Sequence, residues 1–161
     1  MAQYTITEEI NSDSARISDQ VLELAILANE SYRDGGVLPG YNSINGWEII
    51  ANSVPSKSGY SATVYKKGDQ IAIAHRGTEL DSFLDAFRDI LTGLKLGFAD
   101  DVPNQFKDAI DFTNNIRDQF DGAKIIHTGH SLGGAIANYI VCQESHGKDD
   151  LSAVDRAVSF N

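Results

Sequence analysis

The chain has 161 residues, 42% of them hydrophobic and 22% charged, a composition that excludes wholesale disorder. Lys and Arg total 13 against 23 Asp and Glu, so a surface with a net charge of −10 repels phosphate backbones and we expect no nucleic-acid partner. The apolar runs are far shorter than the ~20 residues of a spanning helix, so we expect no transmembrane segment. The single cysteine, Cys142, excludes an internal disulfide framework and a cysteine-cluster metal site.

The N-terminal part of the chain is polar before it becomes periodic. Residues 1–13 are predicted to form a loose arm. They contain no signal peptide pattern, so we expect a cytoplasmic protein or one exported by a leaderless route. Apolar residues then recur at helical spacing over residues 17–32, with Ser14 or Ser18 as the cap. Pro-Gly and Asn-Gly pairs predict a loop over Val37–Gly46.

Three short strands are predicted next, because hydrophobic and polar residues alternate in each. In the first strand the alternation places Trp47, Ile49 and Ala51 on one face. A Lys-Gly-Asp turn joins the second and third strands as a tight hairpin. The predicted strands are Trp47–Ser53, Tyr60–Lys66 and Gln70–Ala74.

In the second half, helical patterns alternate with β-rich apolar runs. Strands that alternate with helices predict right-handed crossovers and a parallel sheet. The fold class is therefore α/β, a mostly parallel sheet with antiparallel N-terminal strands. The helical patterns cover Leu80–Leu91, Pro103–Phe120 and Leu132–Gln143, and the strand-like runs cover Lys124–Thr128 and Ala157–Phe160.

The strongest chemical signal is a Gly-x-Ser-x-Gly motif, Gly129-His130-Ser131-Leu132-Gly133. A nucleophilic serine must stand on a sharp strand-to-helix turn, and glycines two residues before and after it remove Cβ atoms that would collide there. The residues before the motif are strand-like and those after it are helix-like, as such a turn requires. This context favours a nucleophile over the alternative, a glycine-rich turn with an incidental serine.

Three segments resemble the class 3 (fungal-type) lipases, a branch of the α/β-hydrolase superfamily. Gly129–Ala135 resembles the nucleophile elbow of that family, the turn that carries its serine. Ile71–Thr78 resembles the family's strand that ends in an Arg-Gly-Thr or Arg-Gly-Ser turn, and Asp85–Ile90 resembles its Asp-Trp-x-x-Asp-Leu segment. The resemblance runs from about Val21 to Asn161, and the order and spacing of the three blocks are more specific than any one block.

The resemblance implies a lipase or other carboxylic ester hydrolase that attacks lipid or small ester substrates with Ser131. It implies an oxyanion hole formed by the backbone N–H of Leu132 and by the backbone N–H, with or without the hydroxyl, of Thr78. It requires no metal or organic cofactor. The sequence departs from the family at His75, where Phe is usual, and at Ala86, where Trp is usual; neither departure removes a catalytic atom.

Two alternatives to a lipase stay open. A phospholipase or thioesterase of the same fold would carry the same elbow, because the elbow does not select the leaving group. A non-catalytic module would keep the scaffold and act through binding or assembly. The stripe Leu80–Leu91 has a similar ambiguity, since both a lid helix and a core helix are amphipathic; we favour core packing, with Asp85 and Asp89 as structural residues.

A serine nucleophile needs a histidine base oriented by a carboxylate, and in α/β-hydrolases both follow the serine in the chain. His146 would lie ~20 Å from Ser131 at the far end of a helix. His130 is adjacent to Ser131 and cannot form the required hydrogen bond with it. His127 lies on the preceding strand with its side chain directed to a sheet face, so it is predicted to be packed or to support a neighbouring residue. His75 is beside the Arg-Gly-Thr turn, where the family has no base.

We therefore expect the triad acid and base to lie outside this chain. Residues 1–161 are predicted to be the N-terminal portion of a single lipase-like domain, truncated at its C-terminal side. A sheet cut at that point exposes a strand edge, so we expect a homo-oligomer or a complementing chain to cover it.

Overall fold

The structure, a computed structural model, describes residues 19–33, 43–54, 56–77, 102–146 and 154–160. These ranges contain three helices: α1 at residues 19–30, α2 at Asn104–Gln119 and α3 at Leu132–Ser145. They also contain six strands: β1 Ser43–Ile44, β2 Trp47–Asn52, β3 Ala62–Lys67, β4 Gln70–His75, β5 Ile125–His130 and β6 Arg156–Phe160. The predicted arm over residues 1–13, the helix caps Ser14 and Ser18, the stripe Leu80–Leu91 and Thr78 lie outside the described residues.

The six strands form one mixed sheet in the order β1-β2-β3-β4-β5-β6. Neighbouring strands from β1 to β4 run antiparallel, and β4, β5 and β6 run parallel. Every residue of β4 after the first is buried, as expected for a central strand covered on both faces. The predicted α/β class, with antiparallel strands before parallel ones, is confirmed.

Strand β2 corrects the predicted alternation. The pairing register with β3 shifts between Ile49 and Ala51, which marks a β-bulge. Trp47 and Ile49 pack on one face of the sheet, while Ile50 and Ala51 pack on the other. The prediction that Trp47, Ile49 and Ala51 share a face is therefore wrong for Ala51, because the extra residue at the bulge reverses the facing of the strand beyond it.

The predicted loop Val37–Gly46 also contains a strand. Ser43 and Ile44 form β1, which pairs with β2 through a turn at Asn45 and Gly46, both with positive φ. This is the Asn-Gly hairpin turn that favours φ > 0 at its two central residues. The turn signal was correct, but a two-residue strand is too short to show alternation.

Two apolar layers enclose the sheet. One lies between the sheet and α2 and α3, and the apolar stripe predicted for α2 is buried in it at Phe106, Ala109, Thr113 and Ile116. The other lies between the sheet and α1 and includes Leu24, Leu27, Trp47, Tyr65, Ala72, Ala74 and Ile126. None of the helices in the described ranges is long and apolar enough to cross a membrane.

Candidate functional site

Ser131 stands on the sharp turn between β5 and α3. It has φ 54° and ψ −121°, in the left-handed region that non-glycine residues rarely occupy. Its backbone N–H donates to the carbonyl of Phe160 at 3.0 Å, and its carbonyl accepts from the backbone N–H of Ala135 at 3.1 Å. Its hydroxyl makes no capping hydrogen bond to α3, and its side chain is half-buried. The turn is thus fixed by main-chain bonds that leave the hydroxyl out of the cap.

Glycines allow this turn to pack against the end of β4. A Cβ on Gly129 would lie 2.7 Å from the carbonyl oxygen of His75, and it would also collide with the Gly133 main chain. A Cβ on Gly133 would collide with the His75 carbonyl group and lie 3.1 Å from the backbone nitrogen of Gly77. These separations are shorter than van der Waals contact. Gly129 and Gly133 are therefore required because two backbones approach closely at the turn, as the spacing of the motif predicts.

The same packing brings together two of the three family-like segments. Gly77 lies against the turn, since a Cβ there would sit 2.6 Å from the His130 carbonyl oxygen. Thr78, the predicted second oxyanion residue, follows Gly77 directly and lies outside the described residues. Leu132, the predicted first one, is the first residue of α3, where backbone N–H groups have no acceptor within the helix. Its side chain is buried in the layer beneath α3.

Tyr32 is a further residue beside this turn that the sequence did not single out. Its hydroxyl donates to the carbonyl oxygen of His130 at 3.4 Å. The guanidinium of Arg76 lies over its ring at 5.8 Å from the centroid. Tyr32 therefore connects the end of α1 to both segments of the candidate site. Nothing in the local sequence indicates this role, because Tyr32 simply follows a helix with an ordinary amphipathic pattern.

A chain of buried hydrogen bonds runs from β4 to β6 on the α2 and α3 side of the sheet. The Tyr60 hydroxyl and His75 Nδ1 are 3.0 Å apart, and His75 Nε2 and His127 Nδ1 are also 3.0 Å apart. His127 Nε2 lies 3.3 Å from Asp155 Oδ2. The two imidazole rings stack at a centroid distance of 5.3 Å, and both are fully buried. We call these four residues, Tyr60, His75, His127 and Asp155, the buried relay.

Asp155 is held from three sides. Its Oδ1 accepts from the backbone N–H of Ile125 at 3.2 Å, and its Oδ2 accepts from Arg117 Nη2 at 2.7 Å. Burial raises the pKa of Asp155, but the hydrogen bonds from His127 and Arg117 outweigh burial, and the pKa lies below its ordinary value. Asp155 is therefore a carboxylate at neutral pH.

Two other members of the relay, His75 and Tyr60, are uncharged at neutral pH. Burial, with His127 beside it, holds the pKa of His75 well below its ordinary value. Burial, with Asp108 nearby, raises the pKa of Tyr60 well above its ordinary value. At neutral pH His75 is thus a neutral imidazole and Tyr60 a protonated phenol.

Within the described ranges, one group of side chains has ligand atoms close enough together to hold a metal ion. Ligand atoms of His127, Glu144 and Asp155 lie within 4.8 Å of one another. Arg117, however, donates to both carboxylates, so a cation already stands between them. We interpret the group as an ion-pair cluster and assign no metal to it.

Among the described residues, the histidines and Asp155 do not assemble a triad around Ser131. α3 continues unbroken to Ser145, so His146 lies ~20 Å from Ser131 along the helix, as the sequence predicts. Both ring nitrogens of His75 and of His127 are engaged in the buried relay. Asp155 precedes β6, at the opposite end of the parallel strands from the turn that follows β5.

The sequence found the turn but not the relay. We predicted a packed position for His127 and noted His75 only for its place beside the Arg-Gly-Thr turn. The sequence did carry a signal for the two histidines. Because alternate residues of a strand share a face, His75 lies on the same face as Ile73 and His127 on the same face as Ile125, in adjacent strands. The partners Tyr60, Arg117 and Glu144 carry no such signal, because tertiary packing alone brings them there.

Sheet order, the helix positions and the β5–α3 turn define a lipase-like α/β-hydrolase fold. The solved structures that share it include the Rhizomucor miehei lipase–propeptide complex (TM-score 0.56, 17% identity, 89% of this chain and 52% of that chain). Lipase II from Rhizopus niveus is also similar (TM-score 0.55, 17% identity, 91% of this chain and 62% of that chain). A fungal lipase–inhibitor complex is a third (TM-score 0.56, 18% identity, 81% of this chain and 56% of that chain).

These likenesses confirm the resemblance to class 3 lipases at the level of the fold. The chain spans between about half and three fifths of the length of these lipases. A family model described as Mbeg1-like matches residues 48–154, about two thirds of the chain, and the chain belongs to the Mbeg1-like family. No curated protein matches the chain in sequence.

Proposed function

We propose that the chain contributes the nucleophile and the oxyanion hole of a serine ester hydrolase. Ser131 attacks the ester carbonyl, and the backbone N–H groups of Leu132 and Thr78 stabilise the oxyanion. Gly129, His130 and Gly133 form the elbow that holds Ser131 in place. A general base takes the serine proton during attack and returns it to the leaving alcohol. The base and its acid come from sequence outside this chain or from a partner chain.

The conformation of Ser131 is the observation that carries this proposal. A positive φ at a non-glycine residue costs free energy, on the order of 1–3 kcal/mol, and persists where the surrounding structure enforces it. Here the enforcement comes from the Phe160 carbonyl and from two glycines packed on β4. An incidental serine in a flexible turn needs no such support.

Fluorophosphonate labelling tests the nucleophile in protein that also contains the sequence or partner chain supplying the base, because only an activated serine reacts. The probe forms a covalent bond to an activated serine oxygen and loses fluoride, so intact-mass and peptide spectra locate the adduct. We expect one adduct on Ser131, lost in Ser131→Ala and kept in Ser145→Ala, a control serine at the far end of the same helix. Circular dichroism of each variant verifies that it is folded.

Hydrolysis of a chromogenic short-chain ester provides the second readout. We expect Ser131→Ala to lower the rate to the uncatalysed background. In protein that contains the base and acid as well as this chain, equal rates for the wild type and Ser131→Ala, or no adduct on the folded wild type, would refute the assignment.

The substrate class rests on the lipases that share the fold. Their names describe triacylglycerol and fungal lipases, which supports a lipid or other small ester as the substrate. A phospholipase or thioesterase is the alternative within the same mechanism. Parallel assays with a triacylglycerol, a phospholipid and an acyl thioester distinguish the three, since only the preferred class should show saturable hydrolysis that depends on Ser131.

A binding or assembly module is the second candidate, and the position of β6 favours it. Within the described residues β6 is the last strand of the sheet and pairs with β5 alone. An open strand edge can take up another strand, from a second copy or from a complementing chain. One of the similar lipases is itself a complex with its propeptide, which is consistent with a partner chain.

A further inference from the structure

The direction of each hydrogen bond in the buried relay depends on Asp155. A carboxylate has no proton to give, so His127 donates from Nε2. A neutral imidazole that donates from Nε2 must accept at Nδ1. His75 therefore donates from Nε2 to His127 and accepts at its own Nδ1 from the Tyr60 hydroxyl. With both imidazoles neutral, this arrangement satisfies all four residues.

The relay connects the outside of the domain to the floor of the candidate site. At one end, the side chain of Arg117 is 37% exposed and that of Asp155 is 8% exposed. At the other end, the main chain of His75 packs against Gly129 and Gly133 of the elbow. The two imidazoles between these ends are wholly excluded from solvent. The charged carboxylate of Asp155 is thus connected by hydrogen bonds to His75, at the end of β4 beneath the elbow.

We propose that Asp155 is a positioning residue that sets the direction of the buried relay, fixing His75 and His127 as Nε2–H tautomers behind the elbow. Arg117 and the Ile125 N–H hold the carboxylate in the orientation that accepts from His127. This role is separate from the proposed nucleophile, because it concerns the protons of two histidines that do not reach Ser131.

The double substitution Arg117→Leu/Asp155→Asn tests the proposal, and Arg117→Leu alone is its control. Arg117 donates to the Oδ2 position, so it must be removed before an NH₂ group can stand there. The Ile125 N–H then needs an acceptor, so the amide oxygen takes the Oδ1 position and the NH₂ group faces His127. His127 must then accept at Nε2 and donate from Nδ1, and His75 must donate from Nδ1 to the Tyr60 oxygen. We expect both histidines to change from the Nε2–H to the Nδ1–H tautomer.

Long-range ¹H–¹⁵N correlation spectra of protein labelled with ¹⁵N-histidine report the tautomers directly. The variants His130→Gln and His146→Gln assign the two remaining histidine signals. We expect Nε2–H for His75 and His127 in the wild type and in Arg117→Leu at pH 7, and Nδ1–H for both in Arg117→Leu/Asp155→Asn. An Nδ1–H at either residue in the wild type, as a tautomer or as part of an imidazolium, or unchanged tautomers in the folded double variant, would overturn the proposal.

Tyr60→Phe keeps the proposal testable if Arg117→Leu/Asp155→Asn does not fold. Because Asp155 sets the direction from the other end, we expect Tyr60→Phe to retain both Nε2–H tautomers. A change of tautomer in this variant would mean that Tyr60 sets the direction and would refute the role of Asp155. Tyr65→Phe is the matched control, since it removes an equally buried hydroxyl on the opposite face of the sheet.

Discussion

Gly133 has the least room of the residues around the elbow. A Cβ at this position would overlap the His75 carbonyl group, which belongs to a buried central strand and has no space to withdraw. We expect Gly133→Ala to destabilise the fold by at least about 3 kcal/mol, because overpacking against backbone forces the main chain to move. Urea denaturation followed by circular dichroism measures the loss.

Gly68 is the control for this prediction. It has φ 63° in the turn between β3 and β4, and nothing lies within 4 Å of its Cβ position. Gly68→Ala therefore meets only the backbone penalty for positive φ, about 1 kcal/mol. If the two alanine variants lost equal stability, the close approach at Gly133 would not be the reason for glycine in the motif.

At the scale of single residues, the sequence predicts the elbow but not its surroundings. The spacing of Gly129, Ser131 and Gly133 reflects a local backbone requirement, so it is readable without tertiary structure. The buried relay depends on strand register, which places Ile73 opposite His127 and His75 opposite Gly129. It depends further on Arg117, which arrives from α2. Neither the register nor the helix packing can be read from local pattern.

A carboxylate of helix α1, Glu23, forms hydrogen bonds to two strands of the sheet. Glu23 accepts from Trp47 Nε1 at 2.8 Å and from Lys67 Nζ at 2.7 Å. Burial raises the pKa of Glu23, but the bonds from Lys67 and Trp47 bring it below its ordinary value, so the group is ionised at neutral pH. Glu23 thus holds α1 against β2 and β3 together.

We expect Glu23→Ala to cost about 1–3 kcal/mol, because the buried Trp47 indole N–H loses its acceptor. Glu23→Gln retains an amide oxygen for Trp47 and loses only a half-exposed ion pair, so it should cost less than about 1 kcal/mol. Chemical denaturation of both variants gives the comparison. Equal losses would show that the ion pair with Lys67, and not the bond to Trp47, attaches the helix.

Element prediction succeeded where periodicity was long and regular. The stripe of α2 repeats over four turns, and of its six predicted residues four are buried while Ile110 and Phe120 are half-buried. The four buried residues are Phe106, Ala109, Thr113 and Ile116. The bulge in β2 escaped prediction because both Ile50 and Ala51 are apolar, so the pattern fits either facing. β1 escaped because two residues show no period. Both features are decided by pairing with a neighbouring strand rather than by the local sequence.

The stability of the whole domain should depend on pH through His75. Its folded pKa lies well below that of the unfolded chain, about 6.5. Below pH 6.5 the unfolded state binds one more proton than the folded state, so the contribution is complete above 6.5 and is lost as the pH falls toward the folded pKa. The expected slope is about 1.4 kcal/mol per pH unit.

His75→Phe should remove this slope while lowering stability at every pH, because His127 and Tyr60 lose a partner. Urea denaturation at several pH values between 6.5 and 5 measures it. His146→Gln, at an exposed position, should retain the wild-type slope. A slope unchanged in His75→Phe would show that the buried imidazole is not the group responsible.

The edge of the sheet determines how whole molecules should meet. β6 offers backbone N–H and C=O groups along its outer side within the described part of the domain, and such an edge pairs readily with another strand. We expect concentration-dependent self-association of the wild type in light scattering.

Successive N–H groups of a strand point to opposite edges, so only one of Ala157→Pro and Val158→Pro removes an outward donor. That variant should stay folded and become monomeric, whereas the other loses a bond to β5 and stability. A wild type that is monomeric at all concentrations, or two folded proline variants that associate like the wild type, would exclude β6 as the contact and would also count against assembly as the function.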